Sequence, residues 1–265
     1  MATIVDRRVS VWQDKVRTIV REAGDGPPLV FFHGGAGLQW DPLVEALTTT
    51  HHVYAPMHPG TDGEHHDDVR QLSDIWDLVL YYAELFEDLD LDRAVLVGHS
   101  FGGMVASEFA STYPAFVERL VLVSPIGLWR DDAPVGNPMM LDPVALVSAM
   151  FADIDGVPAK QMIAQMSSML DQPEAAAQSW WVTACTGHFI WPLPDRGLGK
   201  RIHRINAPSL VIWGEQDGII PPVYAAEFGS RLSDARVEII DHAGHVPQIE
   251  QPGRVIELVG EFLAS

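Results

Sequence analysis

The chain has 265 residues, of which 47% are hydrophobic, so it is long enough to bury one sizeable core. Its 17 basic and 36 acidic residues give a net charge of −19, which opposes binding to nucleic acids or anionic membranes. Cys185 is the single cysteine and excludes an internal disulfide. No apolar stretch approaches about 18 residues and no basic-then-apolar leader is visible, so we expect a cytoplasmic protein.

The first part of the chain is rich in predicted strands. "VSVWQ" and "VRTIVRE" are typical of a hairpin that starts a sheet. The apolar run from Leu29 to Phe32 predicts a buried strand. His33-Gly34-Gly35 turns out of that strand, and we expect its backbone N–H groups to be exposed and His33 to brace the loop.

A histidine-rich stretch follows the next predicted strand, "HVYAP". In "HPGTDGEHHDD", the side chains of His65, His66, Asp67 and Asp68 are possible metal ligands. Adjacent residues tend to point apart, however, and no second cluster has a matching spacing. We therefore predict a surface loop without a metal, leading into an amphipathic helix between Leu72 and Leu89.

The stretch "AVLVGHSFGG" ends a buried strand at a serine between two glycines. Residues Ala94 to Val97 are branched and apolar, as in a strand that is covered on both faces. Gly98 and Gly102 flank Ser100 in the pattern G-x-S-x-G, in which small residues let the strand turn sharply into a helix. The pattern predicts a nucleophile elbow with Ser100 in a strained backbone position, and a helix that ends at Tyr113-Pro114.

The alternation of strands and helices stops after the strand-like "RLVLVSP", Arg119 to Pro125. Residues 126–200 hold six of the nine methionines and four of the eight tryptophans, which indicates a separate apolar layer. We expect a helical cap here, inserted into a core domain of residues 1–125 and 201–265. Methionines recur at helical spacing in this segment, either as the cap's own packing or as part of an apolar face over the site.

A serine nucleophile needs a base within hydrogen-bond reach and an acid that orients the base. The predicted strand Ser209 to Trp213 is followed by a turn with Glu215 and Asp217, and we assign the acid to Asp217, which could instead only cap the next helix. The loop "HAGHVPQIEQP" follows the strand-like "RVEIID", and we assign the base to His245, with His242 shaping the loop. Both loops are expected at the carboxyl edge of the sheet.

The motifs "HGGAG", "GHSFGG", "GEQDGIIP" and "GHVPQIEQP" together resemble those of an α/β-hydrolase with a lid, from about residue 29 to the last helix. The resemblance implies an α/β fold with a mostly parallel, eight-stranded sheet and helices on both faces. It also implies two backbone N–H donors for an oxyanion, which we assign to Phe101 and to Gly35, with Ala36 as the alternative to Gly35.

The resemblance further implies a mechanism without metal or cofactor, in which His245 takes the Ser100 proton while Asp217 holds the imidazole tautomer. We expect cleavage of a carboxylic ester of a small to medium apolar or aromatic substrate. The alternatives on the same fold are carbon–carbon hydrolases of ring-fission products, lactonases and perhydrolases. Carbon–carbon hydrolases commonly carry Asn and Trp where this chain has His99 and Val246. A non-catalytic receptor for a small ligand is the alternative from another class.

The substrate pocket is expected to lie between the site and the cap. Its predicted lining residues are His33, Trp129, Met166, Trp181, Trp191 and Val246. The sequence leaves open whether the chain forms a homodimer.

Overall fold

Eight strands form one sheet in the computed structural model, which describes residues 2–191, 193 and 195–265. The strands are β1 (Val5–Val11), β2 (Val16–Ala23), β3 (Pro28–Phe32), β4 (His52–Pro56), β5 (Ala94–His99), β6 (Val117–Val123), β7 (Ser209–Gly214) and β8 (Ala235–Ile240). Their order in the sheet is β1-β2-β4-β3-β5-β6-β7-β8. β2 pairs antiparallel with β1 and β4, and all other pairs are parallel, which confirms the predicted fold class.

The described part of the chain also forms nine α-helices. They are α1 (Pro42–Leu47), α2 (Ile75–Asp88), α3 (Phe101–Thr112), α4 (Pro143–Met150), α5 (Val157–Leu170), α6 (Pro173–Ile190), α7 (Val223–Arg231), α8 (Pro247–Glu250) and α9 (Pro252–Ala264). Aspartates begin three of them, since the side chains of Asp41, Asp74 and Asp142 accept N–H groups of the first turn.

The central strands are buried because helices cover both faces of the sheet. Neighbouring residues of β3 divide between two apolar clusters, with Val30 and Phe32 in one and Leu29 and Phe31 in the other. The first cluster contains apolar side chains of α2, α3 and α7, and the second contains those of α1 and α9. The continuous apolar runs seen in the sequence are therefore the strands that lie between these two layers.

The segment predicted to be the cap contains α4, α5 and α6, which pack on one another in chain order. It also contacts the loops at the carboxyl edge of the sheet: the backbone N–H of His245 donates to Met150 O at 2.7 Å, at the end of α4. The Thr186 hydroxyl of α6 lies 3.0 Å from Gly35 O. Division of the chain into a core and a cap of residues 126–200 stays a prediction, and positions 192 and 194 of that segment lie outside the described residues.

The histidine-rich stretch leads into a short 3-10 helix, His66–Gln71, between β4 and α2. His65 binds the side chain of Asp62, and Asp68 binds Arg17 through both carboxylate oxygens. Within the described residues, no group of three or more His, Cys, Asp or Glu side chains is arranged to hold a metal ion. No helix in this part of the chain is long and apolar enough to cross a membrane.

Candidate active site

Ser100 occupies the sharp turn between β5 and α3. Its backbone has φ 54° and ψ −115°, a conformation that a residue with a Cβ adopts only under strain. Neighbouring segments hold it there: its N–H donates to Val123 O at 2.9 Å, and its carbonyl accepts the N–H of Ile126 at 3.2 Å. The side chain is thereby fixed at the end of the strand, where the elbow pattern predicts it.

Two positions of this turn require glycine because backbone atoms approach them closely. A Cβ on Gly102 would lie 2.0 Å from Phe32 O, and one on Gly98 would lie 2.4 Å from Gly102 O. Neither position can accept a side chain without moving backbone. The contact with Phe32 also brings the start of α3 against the end of β3, next to the glycine loop that follows.

The structure brings Ser100, Asp217 and His245 into one hydrogen-bond chain, which we call the triad. His245 Nε2 lies 2.9 Å from Ser100 Oγ, and His245 Nδ1 lies 2.9 Å from Asp217 Oδ2. The side chain of Asp217 is fully buried and that of His245 nearly so. The two alternatives to these residues, Glu215 and His242, are both exposed.

Asp217 also fills the structural role that the sequence left open. Its Oδ1 accepts the N–H groups of Ile219 and Ile220, each at 2.9 Å, while Oδ2 faces His245. One carboxylate therefore orders its own turn and orients the imidazole. Because both oxygens are engaged, the carboxylate plane cannot rotate without losing bonds.

The loop that carries His245 is fastened to α4 and α8. Glu250, at the end of α8, accepts the Gly244 N–H at 2.6 Å and the Ala152 N–H at 2.9 Å. A Cβ on Gly244 would lie 2.3 Å from Met150 O, so only glycine fits there. The sequence analysis missed Glu250, although the motif "GHVPQIEQP" includes it.

His99 lies between the glycine loop and His245. Its Nε2–H donates to the backbone carbonyl of His245 at 2.9 Å, and a Cβ on Gly34 would lie 2.9 Å from its Nδ1. Burial lowers the pKa of His99 to about 3, so the ring is neutral at ordinary pH. His99 therefore supports the His245 loop without adding a charge to the site.

The two backbone N–H groups that the sequence analysis assigns to an oxyanion hole have no hydrogen-bond acceptor among the described residues. The Phe101 N–H is the first of α3, where no intrahelical acceptor exists. Neither this group nor the Gly35 N–H donates to any described residue. Gly34 is adjacent to Ser100, since a Cβ placed on it would lie 3.6 Å from Ser100 Cβ. Ala36, the alternative to Gly35, is exposed.

The six predicted pocket residues do not form a single lining. Met166 and Val246 share a small apolar cluster with Val147, Phe151 and Ala159. Val246 directly follows His245 in the chain. Trp129 borders a small recess with Met104 and Ile190. Their contact with a substrate stays a prediction.

The other three residues lie apart from that cluster. Trp181 packs edge-on against His66, with 5.7 Å between the ring centroids. Trp191 follows α6 and is 51% exposed. His33 is buried, and both of its ring nitrogens bind backbone groups, as expected of a residue that braces its loop.

A serine at a strand-to-helix elbow, followed in chain order by an aspartate and a histidine at later strand ends of a mostly parallel sheet, is the arrangement of the α/β-hydrolases. Residues 27–252 match the model of the alpha/beta hydrolase fold family, and the chain belongs to this family. It is a hydrolase of the α/β fold.

Similar proteins are named as different kinds of hydrolase. The chain is 29% identical to a 2-hydroxymuconate semialdehyde hydrolase of Pseudomonas sp. (strain CF600), over 94% of this chain and 91% of the relative. It is 27% identical to a 2-hydroxy-6-oxo-6-phenylhexa-2,4-dienoate hydrolase of Burkholderia cepacia, over 94% and 92%. Among solved structures, a putative lipase of Acinetobacter baumannii has 26% identity and a TM-score of 0.79, over 98% of this chain and 91% of that one.

Proposed function

We propose that this hydrolase cleaves a carboxylic ester of an apolar or aromatic acid through an acyl-enzyme on Ser100. The observation that carries the proposal is the unbroken hydrogen-bond chain from Ser100 through His245 to Asp217. It supplies a nucleophile, a base and an orienting acid at hydrogen-bond distances, which acyl transfer requires.

In the first half-reaction, His245 Nε2 takes the Ser100 proton while Oγ attacks the ester carbonyl carbon. Asp217 holds the proton on Nδ1 and stabilises the imidazolium that forms. The N–H groups of Gly35 and Phe101 bind the oxygen as it becomes negative. The tetrahedral intermediate then expels the alcohol, which receives the proton from His245, and leaves the acyl group on Ser100.

In the second half-reaction, water attacks the acyl carbon and gives a proton to His245. The Ser100–acyl bond breaks, the carboxylic acid leaves, and His245 returns the proton to Ser100 Oγ. The same donors bind the oxyanion in both halves, so the site needs only its own groups and water.

The charge around the triad favours a neutral acyl group. Its hydrogen-bond network within the described residues contains His99 and no arginine or lysine. Burial keeps His99 neutral by lowering its pKa to about 3. A substrate with its own carboxylate would have no cation to pair with in this network, whereas an apolar acyl chain would suit the cluster around Met166 and Val246.

A second candidate is the hydrolysis of a carbon–carbon bond in a ring-fission product. Two curated relatives with 29% and 27% identity are named for such substrates, and both alignments span over nine-tenths of this chain. Against it stand His99 and Val246, at positions where carbon–carbon hydrolases commonly carry Asn and Trp.

The experiment uses p-nitrophenyl esters of rising acyl length, assayed with the purified protein and with Ser100→Ala. We expect turnover that is lost in Ser100→Ala, and the preferred chain length measures the space available to the acyl group. The matched second substrate is 2-hydroxy-6-oxo-6-phenylhexa-2,4-dienoate, whose yellow colour disappears on cleavage. Cleavage of the dienoate without cleavage of any ester would replace the ester hydrolase by the second candidate.

A further inference from the structure

Three buried residues form a hydrogen-bonded chain behind the glycine loop, His33–Gly37, which we call the oxyanion loop. The backbone N–H of His58 donates to His33 Nε2 at 3.0 Å, and His33 Nδ1 lies 2.7 Å from Gly34 O. His58 Nε2 lies 2.9 Å from His33 O, and Tyr82 binds His58 Nδ1 through its hydroxyl. His33, His58 and Tyr82 are all buried, and the mechanism uses none of them.

The contacts assign one proton arrangement to this chain. Burial lowers the pKa of His33 to about 4 and that of His58 well below its ordinary value, so both rings are neutral. His33 Nε2 accepts a backbone N–H, so its proton is on Nδ1 and is donated to Gly34 O. His58 Nε2 faces a carbonyl and must donate, so Nδ1 accepts the Tyr82 hydroxyl proton. All four ring nitrogens are satisfied by this arrangement.

The bond to Gly34 O determines the direction of the next N–H. In a trans peptide the carbonyl and the following N–H point in opposite directions. Because His33 holds the Gly34 carbonyl, the Gly35 N–H is held in the opposite direction and cannot rotate without breaking that bond. The donor assigned to the oxyanion is therefore oriented by a buried side chain whose two ring nitrogens are both engaged by backbone groups.

His58 also contacts the second donor residue. Its ring packs edge-on against the ring of Phe101, with 4.8 Å between the centroids. His58 thus binds the oxyanion loop through His33 and touches the residue after the nucleophile. We propose that His58, held in one tautomer by Tyr82, is a positioning residue that aligns the Gly35 and Phe101 N–H groups as one oxyanion hole. This inference rests on the proposed acyl-transfer function.

The test compares two tyrosines of α2 that are equally buried. Tyr82→Phe removes the hydroxyl that binds His58, and Tyr81→Phe removes a hydroxyl outside this chain. The probe is a fluorophosphonate: Ser100 Oγ bonds to phosphorus, fluoride leaves, His245 receives the serine proton, and the phosphoryl oxygen needs the oxyanion donors. Its inactivation rate reports on the hole without a known substrate.

We expect Tyr82→Phe to slow phosphonylation about tenfold or more, a part of the roughly hundredfold loss typical when one oxyanion donor is removed. With an ester substrate, kcat should fall by a similar factor while KM changes less than about twofold, because the donors act on the transition state. Tyr81→Phe should match the wild type in both rates. His58→Leu should slow phosphonylation more than Tyr82→Phe does.

The outcomes separate this inference from the proposed function. Equal phosphonylation rates in Tyr82→Phe and Tyr81→Phe would overturn the positioning role, even if the wild type cleaves esters. A slow Tyr82→Phe in a protein that cleaves no ester would overturn the ester hydrolase and keep the positioning role. A folded wild type that is not labelled would overturn both. Thermal unfolding of each variant shows whether a rate loss is merely a loss of folded protein.

Discussion

Replacement of Glu250 by glutamine should weaken both the fold and the site. The carboxylate accepts the Gly244 N–H at 2.6 Å and the Ala152 N–H at 2.9 Å, one on each oxygen. Glutamine has one acceptor oxygen, so its NH₂ group must face one of these N–H donors. Because Gly244 directly precedes His245, a displaced loop also shifts the proposed base.

The expected loss follows from these two bonds. Glu250→Gln removes one of the two hydrogen bonds to the carboxylate and leaves its N–H donor unpaired. The acceptor of the remaining hydrogen bond becomes neutral. Together these changes cost about 3 kcal/mol of unfolding free energy. For a chain of this size that is roughly 6–12 °C in Tm. We also expect kcat for an ester to fall about tenfold through misplacement of His245. Calorimetry and steady-state kinetics measure the two effects.

The matched control is Glu257→Gln in α9, whose carboxylate is exposed and pairs with the exposed Arg254. Surface pairs of this kind contribute about 0–1 kcal/mol, so the control should unfold close to the wild type. If Glu250→Gln unfolded at the same temperature as this control, with the same kcat, the two N–H bonds would contribute nothing and the reasoning would be refuted.

In Asp217→Asn the amide oxygen can still accept the N–H groups of the turn, but the NH₂ group then donates to His245 Nδ1 and selects the wrong imidazole tautomer. Steady-state kinetics should show kcat about 10⁴-fold lower with little change in KM. Burial raises the pKa of Asp41 to about 6. This carboxylate therefore binds a proton more readily in the folded chain than in the unfolded chain. The free energy of unfolding then falls as the pH rises from about 4 to about 6. Asp41→Asn should therefore raise the unfolding free energy above pH 6, by up to about 3 kcal/mol, and give little gain near pH 4 in urea titrations. Arg201→Met leaves the buried Glu108 carboxylate unpaired and should lower the unfolding free energy by about 3 kcal/mol, with recovery on adding Glu108→Gln.

The inner strands could be predicted from the sequence because they are apolar runs that end at glycine, proline or polar residues. β3 extends the predicted run by one residue, and β8 is the predicted run shifted by one. β6 ends two residues before the predicted Pro125, since Ser124 has φ 44° and leaves the sheet. α2 starts at Ile75 rather than near Leu72 because Asp74 caps its first turn.

The triad could be predicted because its chemistry requires particular residue types at particular strand ends. The supporting residues could not be, since their contacts follow neither a helical nor a strand period. Glu250 reaches Ala152, 98 positions away, and His58 meets Tyr82, 24 positions away. Glutamate at the end of a short helix and histidine before proline are also compatible with a solvated surface, so only the folded chain reveals these roles.

The end of α4 is hydrogen-bonded to both loops that carry Asp217 and His245. Ala149 O accepts the Gly218 N–H at 2.9 Å, next to the acid, and Met150 O accepts the His245 N–H at 2.7 Å. Movement of this helix end away from the sheet would break a bond to each loop. α5 makes no such bond to the triad loops within the described residues, and it carries Met166, which packs near Val246. Differences in substrate between hydrolases that share such a triad are therefore expected to arise on α5 and α6, where side chains can change without disturbing Asp217 or His245.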